Sequence, residues 1–437
     1  MENENQIRED ILSLIFDIYK NRDDKEKISG KDYLNYAGGI FDHKEVNAVI
    51  NSLLDGWLGI GKKAAEFEEK FANFNEVKSC IVTNSGSSAN LIAISSICSS
   101  EVEGNCLQND EVITPASTFP TTLNPIIQNK LIPKFVDIEI GTYNIDCKSL
   151  PESINEKTKA IMIPHVLGNP NEMDTIKRIA NEHNLFLIED CCDALGSTFK
   201  GKKVGSWGDI GTCSFYPAHH MTMGEGGAIF SNNKDLIRTA LSLRDWGRAC
   251  FCKFDEKKPN GACGKRFDFE IDGIKTDHRY LYSNIGYNLK PIELQCAFGL
   301  EQLLKLPDFI KARKRNYKIL FDILEPLKEK LYLPRTHSGS DVSWFAFPIT
   351  IKEDTKIKRN ELMLFLEKNK IQTRILFAGN ILKHPGYVNL KYHETGNLTN
   401  SNLVFRNSFF VGVYPGLSED NMKYIGEKIV EFILKSQ

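Results

Sequence analysis

The sequence predicts an α/β fold, a mainly parallel seven-stranded sheet covered by helices on both faces, followed by a smaller α+β domain. Two patterns predict it. Between about 78 and 232, seven short β-branched or apolar runs (SCIVT, EVITP, PKFVDI, AIMIPHV, LFLIED, GTCSFY and GAIFS) alternate with helix-like stretches, the rhythm of strands joined by crossover helices. From about 310 onward helical periodicity (ARKRNYKILFDILEPLKEKL) gives way to a strand-like WFAFPITI, a helical ELMLFLEKN and a last helix, NMKYIGEKIVEFILK. The 437 residues are 41% hydrophobic and 26% charged, a composition that excludes disordered and fibrous classes. With 55 basic and 57 acidic residues, no bulk charge draws the chain to nucleic acid or to an anionic membrane, and a small molecule is the expected partner.

Taken in order, residues 1–35 read as an N-terminal helical extension and 36–309 as the large domain. Helical spacing runs through 7–21 and again through 44–55, where Gly56 supplies a stop. The following Gly56-Trp-Leu-Gly-Ile-Gly61-Lys62 matches most of a phosphate-binding P-loop. Position 63 is Lys where a Mg-binding Ser or Thr is needed, and a helix precedes it instead of a strand, so it is read as a turn between helices. Residues 246–284, rich in charge, Gly and Cys, read as a loop excursion, and 310–437 as the small domain. The acidic start lacks the order of a signal peptide and no run approaches roughly eighteen apolar residues, so a cytoplasmic protein is expected. Eleven cysteines, an odd number, do not fit a complete disulfide framework, and some of them are expected to bind a ligand.

Three segments carry candidate chemistry. TNSGSSANLI places Gly86, Ser87 and Ser88 between a strand and an apolar helical run, where free N–H groups and hydroxyls suit a phosphate; small residues also cap helices with no ligand. LFLIEDCCDALGS ends a buried strand in Glu189, Asp190 and Asp193, at the sheet edge where open α/β folds bind ligands, although solvated loop acids give the same pattern. SFYPAHHMTMGEGG, 214–227, has the form S-F-x-P-x-K-x-x-x-x-G-[ED]-G-G with one exchange: His219 stands at the lysine.

This pattern, with motifs in order from about 35 to the end, resembles the DegT/DnrJ/EryC1/StrS sugar aminotransferases, fold type I enzymes dependent on pyridoxal phosphate. The resemblance implies that Gly86, Ser87 and Ser214 hold the cofactor phosphate, that Phe119 stacks on the pyridine ring, and that Asp190 keeps the ring nitrogen protonated. Asp193 replaces a frequent Gln or His near the ring hydroxyl. Asn288, in GYNLKPIELQ, matches an asparagine that reaches the phosphate from the neighbouring subunit, which implies a homodimer. An imidazole cannot replace lysine in its covalent bond to the cofactor aldehyde, but it can move protons. The cofactor is therefore expected as noncovalent pyridoxamine phosphate, with His219 catalytic and the adjacent His220 as the alternative.

Within the family, histidine for lysine marks the 3-dehydrases of deoxysugar synthesis. The spacing Cys192-x57-Cys250-x-Cys252-x10-Cys263 resembles the C-x57-C-x-C-x7-C signature of those acting on CDP-4-keto-6-deoxyglucose in lipopolysaccharide dideoxysugar biosynthesis, which hold a 2Fe–2S cluster. The last spacing is three residues longer, and Cys191 adjoins Cys192. Zinc would accept four thiolates equally well, but zinc has no redox chemistry, and a dehydrase without the lysine needs an electron source. The implied partners are a nucleotide-linked 4-keto-6-deoxyhexose and an NADH-dependent flavin and iron–sulfur reductase. Two rival readings stand beside it: a cluster-free enzyme like the GDP-4-keto-6-deoxymannose 3-dehydratases, and a catalytically dead aminotransferase-fold binding module.

Overall fold

The computed structural model describes residues 2–20, 26–252 and 263–436. Residues 253–262 of the cysteine-rich excursion lie outside the described residues. Four helices precede or enter the large sheet: α1 (Glu2–Lys20), α2 (His43–Leu54), α3 (Lys62–Phe74) and α4 (Gly86–Ile97). The sheet takes its strands from all seven apolar runs: β1 (Ser79–Thr83), β2 (Glu111–Pro115), β3 (Ile132–Val136), β4 (Thr158–Pro164), β5 (Phe186–Asp190), β6 (Ile210–Ser214) and β7 (Gly227–Ser231). Their spatial order is β1-β7-β6-β5-β4-β2-β3, and β7 runs antiparallel to both its neighbours while the remaining pairings are parallel. An eighth strand of two residues, His393–Glu394, comes from the C-terminal part of the chain and pairs with the edge of β3, an addition that no apolar run announces.

Strand alternation divides the core. Val112, Ala160 and Ile188 pack with Ile92 and Ala93 of α4 on one face, while Ile113, Ile161 and Leu187 pack with Met173, Ile176 and Ile179 of the helix Met173–Glu182 on the other. The same period of two sends Asp190 to the α4 face and Glu189 to the opposite one. Sequence runs with no polar face are therefore buried on both sides, as parallel strands require.

The Gly56–Lys62 turn leads into α3, and its helix N-terminus is occupied by protein. The Glu293 carboxylate accepts from the backbone N–H of Gly61 (2.8 Å), Lys63 and Ala64 (3.3 Å), filling the position a phosphate would need. Glu293 itself starts a 32-residue helix, Glu293–Leu324, that runs unbroken through residue 310, so the expected division between domains falls within a continuous helix. Beyond it, the strands Leu331–Tyr332, Ala346–Ile351, Ser408–Gly412 and Thr373–Ile375 form a four-stranded sheet whose core includes Ile349, Val411, Leu362 and Ile425. No helix among the described residues is long and apolar enough to cross a membrane.

Candidate active site

At the C-terminal ends of β5 and β6 lies a cavity of about 460 Å³, lined by Gly86, Ser87, Phe119, Asp190, Cys192, Asp193, Ser214 and His219 among others. Open α/β sheets bind ligands at this edge. Among the described residues, no lysine lines it.

Each wall follows from local sequence. Ser85 caps α4, its side chain accepting from Ser88 N (3.1 Å), so the N–H groups of the first turn face the cavity. Gly86 has no alternative: a Cβ there would stand 2.4 Å from the Cβ of Ser214. Asp190, at the end of β5, is 6% exposed. Its Oδ2 accepts from Asn90 Nδ2 (2.7 Å) and Thr122 Oγ1 (2.8 Å), and its Oδ1 from Cys192 N (3.1 Å). Thr212 Oγ1 donates to Asn90 Oδ1, which turns the amide nitrogen toward Asp190. The carboxylate is thus fixed at the cavity floor. Phe119 is half exposed at the start of the next helix, with its ring 6.1 Å from Phe377, and is free to cover a flat ligand.

The two adjacent histidines diverge. His219 lines the cavity, its Nδ1 3.3 Å from Asp193 Oδ1. His220 turns away and donates from Nε2 to the Ser343 carbonyl (2.8 Å); burial, and then the Arg313 guanidinium, hold its pKa well below the ordinary value. Arg313, fully buried on the helix Glu293–Leu324, donates to the carbonyls of His219 (3.1 Å) and Phe345 (3.0 Å), locking the loop that carries His219. Burial pulls Arg313 down to about 10 against the pull of Asp193.

Sequence reading missed Asn90, Thr122 and Arg313. Asn90 and Thr122 lie one helical turn beyond the α4 start and Phe119, a spacing that could have pointed to them; Arg313 sits in a helical run with no local signal. Glu189, grouped with Asp190 on sequence, is instead a buried brace: it bonds His165 Nε2 (3.0 Å) and accepts from the N–H groups of Gly205 and Gly208.

The structure does not bring all the expected residues together. Asn288 lies outside the cavity of its own chain, bridged to Asp245. Cys192 lines the cavity and is not in the close group that Cys250 and Cys252 form with His278. Cys192 is in the cavity, its Sγ 3.0 Å from the Cβ position of Gly86, at the N-terminal end of α4. The excursion is anchored past the other end of that helix, where Asn284 bonds Ser99 (2.6 Å) and Glu101 (3.0 Å). Cys250 and Cys252 group with His278, all three ligand atoms within 4.8 Å of one another, and Cys263 Sγ is 3.2 Å from His278 Nε2. Burial, then the thiols of Cys263 and Cys250, push Cys252 up to about 12, while the Lys265 N–H holds Cys263 below its ordinary value. Around the cysteines the excursion is not wholly irregular: a hairpin pairs Phe269–Ile271 with Ile274–Thr276.

The sheet, the α4 terminus, the floor carboxylate and the aromatic cover together define a fold type I scaffold of the pyridoxal-phosphate enzymes. The chain belongs to the DegT/DnrJ/EryC1/StrS aminotransferase family, whose sequence profile matches residues 40–430. It is 45% identical over 433 residues to the lipopolysaccharide biosynthesis protein RfbH of Salmonella typhimurium, covering 98% of each chain. It is 43% identical to a dTDP-4-dehydro-2,6-dideoxy-D-glucose 3-dehydratase of Saccharopolyspora spinosa, covering 98% of this chain and 92% of that one. Among solved structures, E. coli GDP-4-keto-6-deoxy-D-mannose-3-dehydratase with bound hydrated PLP superposes with a TM-score of 0.82 at 31% identity, covering 91% of this chain and 99% of the other.

Proposed function

We propose that the chain is a nucleotide-sugar 3-dehydratase that removes the C-3 hydroxyl of a 4-keto-6-deoxyhexose, with the CDP-glucose derivative as its substrate, in 3,6-dideoxysugar synthesis for lipopolysaccharide O-antigen. The observation that carries this reading is His219 in a cavity lined by no lysine among the described residues. A base that cannot hold the cofactor covalently suits proton transfer in place of amino transfer.

The cavity fits pyridoxamine phosphate. Asp190 has a carboxylate for the ring nitrogen, and its three donors, Asn90 Nδ2, Thr122 Oγ1 and the Cys192 N–H, are all neutral. The α4 N–H groups, Ser87 and Ser214 would hold the phosphate, and Phe119 would cover the ring. Bound there, the cofactor supplies an amine for the C-4 ketone and a protonated ring that accepts an electron pair. His219 would move protons at Nε2, its Nδ1 standing 3.3 Å from Asp193 Oδ1. Two electrons must then be supplied. We assign their entry to a 2Fe–2S cluster on the cysteine excursion, fed by an NADH-dependent flavin and iron–sulfur reductase. Soft thiolates clustered on one exposed excursion support that assignment, and zinc would carry no electrons.

The working form is a homodimer in the cytoplasm. Asn288 has no place in its own cavity, and Tyr280, Tyr282 and Ile285 beside it expose apolar surface, Ile285 to 97%.

Mass spectrometry of the sugar after incubation with CDP-, dTDP- or GDP-4-keto-6-deoxyhexoses, pyridoxamine phosphate and a chemical reductant tests the function. A 3-deoxy sugar formed from the CDP substrate without glutamate is expected. Strict glutamate dependence would favour the cluster-free reading, and a 4-amino sugar would end the dehydratase assignment.

A further inference from the structure

We propose that Cys98 and Cys106 are a redox-active thiol pair, which a hydroperoxide closes to an intrachain disulfide at the turn that anchors the cysteine excursion. The pair lies at the C-terminal end of α4 and does not line the cofactor cavity. It takes no part in the proposed function, so the two stand or fall separately.

The chain leaves α4 at Cys98, the C-cap residue, and returns to it at Cys106. The Cys106 N–H donates to the carbonyl of Ile97, the residue before Cys98, at 2.7 Å, so both side chains start from neighbouring, hydrogen-bonded backbone. The turn between them is closed on itself: Val102 N donates to Ser99 O (3.0 Å), Asn105 N to Val102 O (3.3 Å) and Asn105 Nδ2 to Cys98 O (3.4 Å). The two thiols hydrogen-bond each other, and Cys98 packs against the group of buried side chains that contains Cys106. A disulfide needs Cα atoms about 4.4–6.8 Å apart with converging Cβ atoms, and two thiols in contact across a backbone hydrogen bond start from such an arrangement.

The two thiols are unequal. Cys98 is half-buried and reachable, while Cys106 is 3% exposed. The hydrogen bond from the Cys106 thiol holds Cys98 below its ordinary pKa, against burial and the Asp110 charge; the same bond, then burial, raises Cys106. An accessible thiolate beside a resolving thiol is the arrangement that peroxide oxidises. The Cys98 thiolate takes the terminal peroxide oxygen, becoming a sulfenic acid and releasing the alcohol, or water from hydrogen peroxide. The Cys106 sulfur then attacks the Cys98 sulfur and water leaves, so two electrons pass from the thiol pair to the peroxide. Cys80, Cys147, Cys191, Cys213 and Cys296 are buried instead, and burial raises each of them above its ordinary value. The turn also holds the excursion: Ser99 Oγ donates to Asn284 Oδ1 (2.6 Å) and Asn284 Nδ2 to Glu101 Oε2 (3.0 Å). A disulfide across its base fixes Ser99 and Glu101 relative to α4 and tightens that anchor.

The test uses the full-length protein purified without oxygen, treated with limiting hydrogen peroxide, alkylated in denaturant with N-ethylmaleimide and mapped by mass spectrometry. A Cys98–Cys106 cross-link, lighter by two hydrogens, is expected before either residue is oxidised further. Both residues should lose alkylation together and regain it after dithiothreitol. Amide exchange across 99–105 and 283–287 should slow in the oxidised form. Cys106→Ser should leave Cys98 as a sulfenic acid that dimedone captures, and Cys98→Ser should leave Cys106 fully alkylated. Cys98→Ser, at the half-buried position, keeps the test decisive if the core variant Cys106→Ser fails to fold. A disulfide from either residue to another cysteine, or Cys98 oxidised to sulfinic acid while Cys106 remains open to alkylation, would overturn the inference. So would two unmodified thiols after the excursion cysteines have reacted. Unchanged exchange at 283–287 in fully cross-linked protein would remove the link to the excursion.

Discussion

The cofactor cavity and the cysteine excursion are built on opposite principles. In the cavity, each polar group is fixed by partners from several elements: Asp190 of β5 is held by α4 and by the helix after Phe119, and the His219 loop by Arg313 of the long helix. Its shape exists before any ligand arrives. The excursion contributes almost no core, and its one buried residue between 263 and 290 is a metal-type donor. On the proposed function, its order would come from what its thiols bind, as in small metal-organised segments. Under the proposed function the two regions divide the labour: proton chemistry on the sheet edge, electron entry on the excursion.

Separating the two halves by mutation is the sharpest way to break that comparison. Cys252→Ser should abolish formation of the reduced 3-deoxy product by the reductase-coupled enzyme, yet bind pyridoxamine phosphate as the wild type does. Titration of the cofactor absorbance and mass spectrometry of the sugar read the two properties independently. Loss of cofactor affinity in this variant would show that the regions are not separable. His219→Asn is the converse. It should keep its iron and its cofactor and lose on the order of 10²–10⁴-fold in kcat, the usual contribution of a positioned acid–base group. Near-normal turnover would remove His219 from the mechanism.

The fold was legible because parallel strands buried on both faces have no polar positions: all seven apolar runs became strands of the large sheet. The edge strand His393–Glu394 was not, because two polar residues carry no periodicity. In the site, Asp190 and His219 stood in motifs that name them, whereas Arg313 acts from a helix distant in sequence and only packing reveals it. The cysteine spacing does not by itself fix contact: Cys192 lines the cavity, while Cys250 and Cys252 group with His278.

Within the cavity, smaller effects grade the rigid half. Thr122→Val removes one of the two side-chain donors to Asp190 Oδ2 and leaves the shape nearly intact. A net hydrogen bond to a charged group is worth ~1.5–3 kcal/mol, so a loss of pyridoxamine phosphate affinity of roughly tenfold or more is expected in a binding titration. An unchanged affinity would mean that Asn90 alone fixes the carboxylate.

His220 sets the smallest and most conditional effect, and it concerns stability. Its imidazole is buried and neutral, donating to the Ser343 carbonyl, and burial holds its folded pKa well below 6.5. The unfolded chain binds a proton at about pH 6.5, whereas the folded chain does so only at much lower pH. Below pH 6.5 the unfolded state therefore carries more protons, and stability falls as pH drops, by at most ~1.4 kcal/mol per pH unit from this group. Above pH 6.5 the group contributes no pH dependence. His220→Gln can still donate to Ser343 but cannot titrate, so its midpoint in denaturant at pH 5.5 should lie closer to its value at pH 7.5 than the wild type's does. If both proteins lost the same stability on acidification, the acid sensitivity would belong to other groups, and the Arg313–His219 loop would be rigid for reasons independent of the neutral imidazole packed beneath it.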